Sequence, residues 1–223
     1  MVPFSTVDYP GKFAAVVFCQ GCPWRCEFCH NPHLLPFQPA EARGWDSVQA
    51  LLERRQGLLD AVVFSGGEPT AQADLPACAR EARGMGYAVG LHTGGAFPER
   101  FQEVLPWIDW VGLDIKTNFE EYHRVTGAPA SGDRALQCLR LLLDSGTAFE
   151  CRTTLNPRML TLDTVFELGR TLAGLGVRHY AVQAFRSEGC ADASLAALPE
   201  IRPSAEWLRR MGSLFEGFAY RGE

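Results

Sequence analysis

Apolar runs of strand length alternate with longer segments of helical periodicity almost from one end of the chain to the other, and this alternation restricts the fold more than any other feature. Runs that are apolar at consecutive positions suit strands covered on both faces, and the intervening helices supply the cover. The pattern predicts βαβ units around a parallel sheet. Strands are expected at Phe13–Phe18, Ala61–Phe64, Tyr87–Leu91, Trp110–Leu113, Ala148–Thr153 and Tyr180–Ala184, with helices near 46–56, 72–84, 98–104, 133–145, 161–174 and 203–217. Asp46 is placed to cap the first helix, Gly146 to stop the fourth, and Pro203 with Ser204 to open the last. Six strands with six helices favour a partial (β/α)6 TIM-like barrel of parallel strands over a closed eightfold one. A doubly wound open sheet is the alternative, because one sequence does not fix strand order.

With 223 residues, 47% of them hydrophobic and 21% charged, the chain can bury a sizeable core, and no linker or repeat divides it, so residues 1–223 are expected to form a single domain. The sequence contains no apolar run of the roughly 18 residues a membrane span requires, and Met1–Thr6 lacks the basic start and apolar stretch of a secretory leader. A soluble, cytoplasmic protein is expected. A net charge of -5 without a long basic block gives little electrostatic reason to bind nucleic acid or an anionic membrane. Protein or small-molecule partners fit better.

Four of the eight cysteines crowd between Cys19 and Cys29, and such clustering points to metal before disulfides in a cytosolic protein. Cys78, Cys138, Cys151 and Cys190 are scattered singly and read as small buried hydrophobes. Cys22, Cys26 and Cys29 could hold an iron-sulfur cluster by three irons and leave a fourth open for chemistry. Zinc held by Cys19, Cys22, Cys26 and Cys29 is the alternative, and spacing alone leaves the two nearly level. Cys19 sits at the expected end of the first strand, which favours packing over ligation. Ser65–Pro69, His92–Gly95, Asp114–Lys116 and Gln183–Arg186 also follow expected strands. In parallel α/β folds the carboxyl ends of the strands carry the active face, so these loops should converge with the cysteines.

The CxxxCxxC motif of Cys22, Cys26 and Cys29, with Phe28 inside it and Gly66-Gly67-Glu68-Pro69 after it, resembles the radical S-adenosylmethionine superfamily. Ser5-Thr6-Val7-Asp8-Tyr9-Pro10-Gly11, Cys29-His30-Asn31-Pro32, Asp114-Ile115-Lys116, Arg152-Thr153-Thr154 and Gln183-Ala184-Phe185-Arg186 resemble the activating proteins of glycyl radical enzymes, most closely those of anaerobic ribonucleoside-triphosphate reductase. The resemblance implies a 4Fe-4S cluster on Cys22, Cys26 and Cys29, with the amino and carboxylate groups of S-adenosylmethionine on its open iron. An electron from the cluster would cleave the sulfonium, and the resulting 5'-deoxyadenosyl radical would take a hydrogen from a backbone glycine of a partner enzyme.

By the same resemblance, Gly66, Gly67 and Glu68 receive the methionine amino group and Phe28 lines the adenine. Asp114 and Lys116, alternating at a strand end, can face one side and meet the amino and carboxylate groups. Arg152 takes the place of a cofactor-facing arginine, although it could instead pair with Glu150 or Asp144. Gln183 stands where related activases have a polar residue near the ribose. Asp8 would face the substrate peptide or hydrogen-bond within its own turn. Where similar activases carry Asp-Thr-Asn-Gly, whose aspartate helps to hold a monovalent cation, this chain has His92-Thr93-Gly94-Gly95. Histidine is a poor ligand for a hard cation, so either His92 hydrogen-bonds in its place or Asp114 and backbone carbonyls hold the cation alone. The resemblance also implies a flavodoxin or ferredoxin as electron donor. The competing functions are a radical S-adenosylmethionine enzyme acting on a small molecule, disfavoured by the little room for a dedicated substrate domain, and a non-catalytic zinc module.

Overall fold

The computed structural model describes residues 1–38, 44–190 and 192–222. Eight strands form one sheet: β1 (Val2–Ser5), β2 (Ala14–Cys19), β3 (Ala61–Gly66), β4 (Ala88–Thr93), β5 (Trp110–Asp114), β6 (Ala148–Leu155), β7 (His179–Ala184) and β8 (Gly217–Arg221). They lie side by side in chain order. Only β1 runs antiparallel to its neighbour, pairing Ser5 with Ala14, and β2 to β8 are parallel. Sequential order without reversal is barrel-like winding, which removes the doubly wound alternative. All six expected strands are present, as β2 to β7, and β1 and β8 extend the sheet at its edges.

The helices are α1 (Trp45–Glu53), α2 (Leu75–Gly84), α3 (Pro98–Val104), α4 (Tyr122–Thr126), α5 (Ser131–Ser145), α6 (Leu162–Gly174) and α7 (Ala205–Gly212). Their apolar stripes join one face of the sheet in the main core, where Leu52, Ala79, Phe101, Leu139, Leu142, Leu168 and Met211 meet Val62, Val89, Val111 and Val182. The other face carries Ala14, Val16, Ala61, Val63 and Trp110, packed around Tyr9. Small residues make room on that inner face: Gly90 lies under Tyr9, and Gly112 lies under the Arg152 guanidinium. The N-terminal turn Ser5–Gly11 therefore folds onto the inner surface, with the Tyr9 and Trp110 rings 5.4 Å apart.

Helix ends agree with the sequence in part. Gly146 ends α5 in the left-handed conformation, φ 73°, and the Ser204 hydroxyl accepts from Trp207 N at the start of α7. Asp46 is not the cap expected of it. Gly44 occupies that position, and Asp46 lies in the first turn, where a carboxylate still faces the positive end of the helix dipole. The last expected helix stops at Gly212, and the remainder of its range leads into β8.

Candidate active site

The cysteine loop leaves β2 and is pinned by backbone bonds at both ends. Gly21 N donates to Leu34 O at 2.8 Å, Cys22 N to Leu35 O at 3.1 Å, and Arg25 N to Thr126 O at 2.8 Å. Cys22, Cys26 and Cys29 line one cleft together with Phe28, Ser65 to Glu68, His92, Thr93, Gly94, Asp114, Lys116 and Thr154. Five of the loops expected to carry chemistry thus contribute neighbours, and four of them reach the cleft itself. Cys19 lines a different cavity, which it shares with Cys78. Burial, then Glu68, then Cys78 push its thiol up to about 12, as befits a packing residue. Among the described residues no three His, Cys, Asp or Glu side chains are gathered as a single metal ion requires.

The Gly66-Gly67 pair is needed for a reason beyond ligand approach. A Cβ on Gly66, whose φ is +111°, would stand 2.5 Å from Cys19 N, and one on Gly67 would stand 2.5 Å from Gly21 O. Backbone of the second loop lies directly on backbone of the cysteine loop, with Gly67 N donating to Cys19 O and Glu68 N to Gly21 O. Gly94 plays the same part in the third loop, since its Cβ would come 2.5 Å from the Trp24 ring. Trp24 is buried, packs edge-on to Tyr122 and lines the cleft. Its Nε1 is a buried donor without a protein acceptor among the described residues.

Glu68, which lines the cleft, is held by hydrogen bonds from two loops. It is 1% exposed, and its carboxylate accepts from Thr70 N (3.1 Å), Thr70 Oγ1 (2.7 Å), Thr93 Oγ1 (2.6 Å) and Gly94 N (3.0 Å). Four donors from its own and the neighbouring loop make it the tie between β3 and β4 ends, and Thr93 is occupied in the same tie. The second loop contributes Ser65, Gly66, Gly67 and Glu68 to the cleft.

Asp114 and Lys116 do face one side. Lys116 Nζ lies 3.6 Å from Asp114 Oδ2 and 5.7 Å from the centre of the Phe28 ring. Tyr122 holds this pair in place: its hydroxyl donates to Asp114 O and accepts from Lys116 N, both at 3.0 Å. Burial lowers the Lys116 pKa, but Asp114, Cys26, Tyr122 and Cys22 together outweigh it and hold the ammonium charged, above the usual lysine range. Burial pushes the Cys22 thiol up to about 11 and raises that of Cys26, and Lys116 opposes both shifts. The cationic Lys116 thus favours thiolates where soft metal ligands are needed.

Arg152 and Gln183 do not line this cleft. Arg152 Nε donates to Glu150 Oε1 at 3.0 Å, the guanidinium lies 4.9 Å from the centre of the Trp110 ring, and NH1 is 3.3 Å from His92 Nε2. The pairing with Glu150 weighed from sequence is the one adopted, and Arg221 joins it at 2.8 Å. Gln183 is half-buried and pairs in register with Thr154, one residue removed from the cleft wall. His92 stands between the layers: Nε2 donates to Asp8 O at 2.8 Å, and burial followed by the Arg152 charge lowers its pKa to about 4. A neutral imidazole occupies the position of the expected cation-binding aspartate. Asp8 meets the Ser5 hydroxyl within its own turn and also stands 3.9 Å from His92.

Sequence reasoning assigned no role to Trp24, Tyr122 or Thr154. Trp24 had a local signal in its place within the CxxxCxxC motif, whereas Tyr122 reaches the site only through tertiary packing. His30, left without a role from sequence, lines the cleft, stacks on Phe185 and bonds Arg186 O through Nε2 at 2.8 Å.

A parallel half-barrel with three cysteines, an ammonium–carboxylate pair and glycine-rich backbone at the carboxyl ends of its strands defines a cluster-dependent enzyme of amino acid-like cofactor chemistry. The residues fit a 4Fe-4S cluster and S-adenosylmethionine: three sulfur ligands leave one iron free, Asp114 with Lys116 complements an amino acid, and Phe28 offers an aromatic wall. Residues 16–172 match the Radical SAM superfamily. A glycyl-radical enzyme activating enzyme of Methanocaldococcus jannaschii is 31% identical over 221 residues, covering 96% of this chain and 89% of the relative. The pyruvate formate-lyase-activating enzyme of Streptococcus mutans is 30% identical over 202 residues, covering 83% and 76%. The chain belongs to the radical SAM superfamily, among the activating enzymes of glycyl radical enzymes. In fold it resembles the S-adenosylmethionine-bound SuiB of Streptococcus suis, with a TM-score of 0.70 at 14% identity over 94% of this chain and 50% of that one. It also resembles a domain of the Bacteroides vulgatus pyruvate-formate lyase-activating enzyme, with a TM-score of 0.55 at 16% identity over 73% and 99%. The chain thus spans about half the length of SuiB.

Proposed function

We propose that residues 1–223 act as one radical SAM domain of a cytoplasmic activase that installs a glycyl radical in anaerobic ribonucleoside-triphosphate reductase, with a flavodoxin or ferredoxin as electron donor. The observation that carries this reading is the shared cleft of Cys22, Cys26 and Cys29 with Asp114 and Lys116. The choice of reductase is supported by the motifs Ser5–Gly11, Asp114–Lys116 and Gln183–Arg186. Among the described residues, no helix is long and apolar enough to cross a membrane.

Cys22, Cys26 and Cys29 hold the cluster in this scheme. Asp114 accepts from the methionine amino group beside the backbone of Ser65 to Gly67, while Lys116 meets the carboxylate. Phe28 lines the adenine. When bound, the cluster and S-adenosylmethionine supply a 5'-deoxyadenosyl radical after one-electron reduction. Half-buried Lys116 and buried Phe28 would limit water in the cleft where a glycine Cα–H is presented, which would protect reactive species from side reactions.

The test is incubation of the anaerobically reconstituted protein with S-adenosylmethionine, a reductant and the reductase. A glycyl radical doublet by electron paramagnetic resonance is expected with the reductase and not with pyruvate formate-lyase. A doublet only with the latter would reassign the partner, and cofactor cleavage without a doublet on either would reject both.

A further inference from the structure

The segment after β7 is not used by the cofactor chemistry, yet four separate contacts bind it to the cysteine loop. Glu27, between ligands Cys26 and Cys29, accepts from Asn156 Nδ2 at 3.0 Å and from Arg158 NH1 at 2.7 Å. The same Arg158 donates to Asp192 Oδ2 at 2.8 Å and to Ser194 Oγ at 2.5 Å. Asn156 is 1% exposed, and its Oδ1 accepts from Arg158 N at 3.0 Å, so the arginine is aimed from its backbone outward. Cys190 Sγ lies 3.4 Å from Glu27 O, and His30 Nε2 lies 2.8 Å from Arg186 O. Beneath these polar contacts, Leu195 is buried with Phe28 and Val125. Gly189, at φ +80°, passes so close that a Cβ would stand 2.7 Å from His30 O.

We infer that Arg158 is a positioning residue whose guanidinium latches Asp192 and Ser194 onto Glu27, holding Cys26, Phe28 and Cys29 in the geometry that retains the cluster. The inference rests on the proposed cluster ligands. Arg158 does not line the cleft; it acts by adding a bridge between carboxylates to two loops that also meet through Leu195, Cys190 and the His30 contacts with Phe185, Arg186 and Gly189. Planar guanidinium geometry suits this bridging of two carboxylates and a hydroxyl, which a lysine ammonium at the end of a flexible stem does not reproduce. Outer contacts of this kind orient metal ligands without binding the metal.

The test compares wild type with Glu27→Gln, Arg158→Gln, Asp192→Asn and the Glu27→Gln/Arg158→Gln double variant. Arg170→Gln, which removes an exposed pair on α6, is the control. Two quantities are measured: iron release to a chelator from the reconstituted protein, and hydrogen exchange of amides 22–30 in the metal-free protein. Glu27→Gln and Arg158→Gln are each expected to release iron about tenfold or more faster than wild type, with exchange in 22–30 accelerated and the control unchanged. Because both act through one contact, the double variant should be no worse than Arg158→Gln alone. Unchanged rates in both single variants, or effects that multiply in the double variant, would overturn the latch. Wild type that takes up no iron would instead overturn the cluster reading, and the exchange arm still decides the latch.

Discussion

Replacing Glu68 by glutamine separates its two conceivable roles, scaffold and ligand. Oε1 accepts three of the four hydrogen bonds, which a glutamine carbonyl can retain, whereas Oε2 accepts only from Gly94 N. Glutamine therefore places an NH2 against the Gly94 N–H, and one charge-assisted bond gives way to two facing donors. Loss of such a bond with a buried donor left unpaired costs about 1.5–3 kcal/mol. For a chain of 223 residues each kcal/mol is about 2–4 °C in Tm, so Glu68→Gln should unfold roughly 3–12 °C earlier. Glu68→Ala removes all four acceptor contacts and should lower Tm further than Glu68→Gln. The assay is thermal unfolding of metal-free protein by circular dichroism, where no cofactor contributes. An unchanged Tm in Glu68→Gln, accompanied by weakened S-adenosylmethionine binding, would refute the scaffold role and restore the ligand role.

Cys26→Ala is expected to lose the cluster on anaerobic reconstitution while Cys19→Ala keeps it, since Cys19 opens onto the cavity of Cys78; equal iron loss would mean that the ligands are miscounted. His92 binds its proton more weakly folded, near pH 4, than unfolded, near 6.5, so the unfolded state takes up more protons as pH falls through this window. Stability should therefore decline by about 3 kcal/mol between those values, and His92→Gln should flatten that slope in denaturant titrations; an identical slope would place the proton uptake elsewhere. Gly94→Ala forces a methyl into the Trp24 ring and should cost about 1–3 kcal/mol in denaturant unfolding, with slower cofactor cleavage; wild-type behaviour would show that Trp24 moves freely.

The parallel core was legible because its strands are apolar at consecutive positions, as in Val62-Val63-Phe64, where both faces are buried. The edges were not. β1 contains Pro3 and pairs on one side only, and β8 follows α7 so closely that Trp207, Met211 and Phe215 extend a helical spacing beyond the real stop at Gly212. At the site, local motifs located the cysteines and the Asp114–Lys116 pair, whose alternation alone puts them on one side. The hydrogen-bond network of Glu68 was not legible, because one of its partners, Thr70, is near in sequence but Thr93 and Gly94 come from the next βα unit. The contact of Gly66 and Gly67 with the backbone of Cys19 and Gly21 joins two loops distant in sequence and carries no local signal. Arg152 illustrates the same limit, because its pairing with Glu150 follows from strand alternation while its seat against Trp110 and His92 depends on the register of β4, β5 and β6.

The central claim, hydrogen transfer from a partner's glycine, is tested most directly by isotope transfer. Reconstituted protein is incubated with S-adenosylmethionine, a reductant and anaerobic ribonucleoside-triphosphate reductase whose glycines carry deuterium at the α-carbon, and the 5'-deoxyadenosine formed is weighed by mass spectrometry. Product carrying one deuterium is expected; unlabelled 5'-deoxyadenosine formed at the same rate with and without the reductase would contradict hydrogen transfer from its glycine.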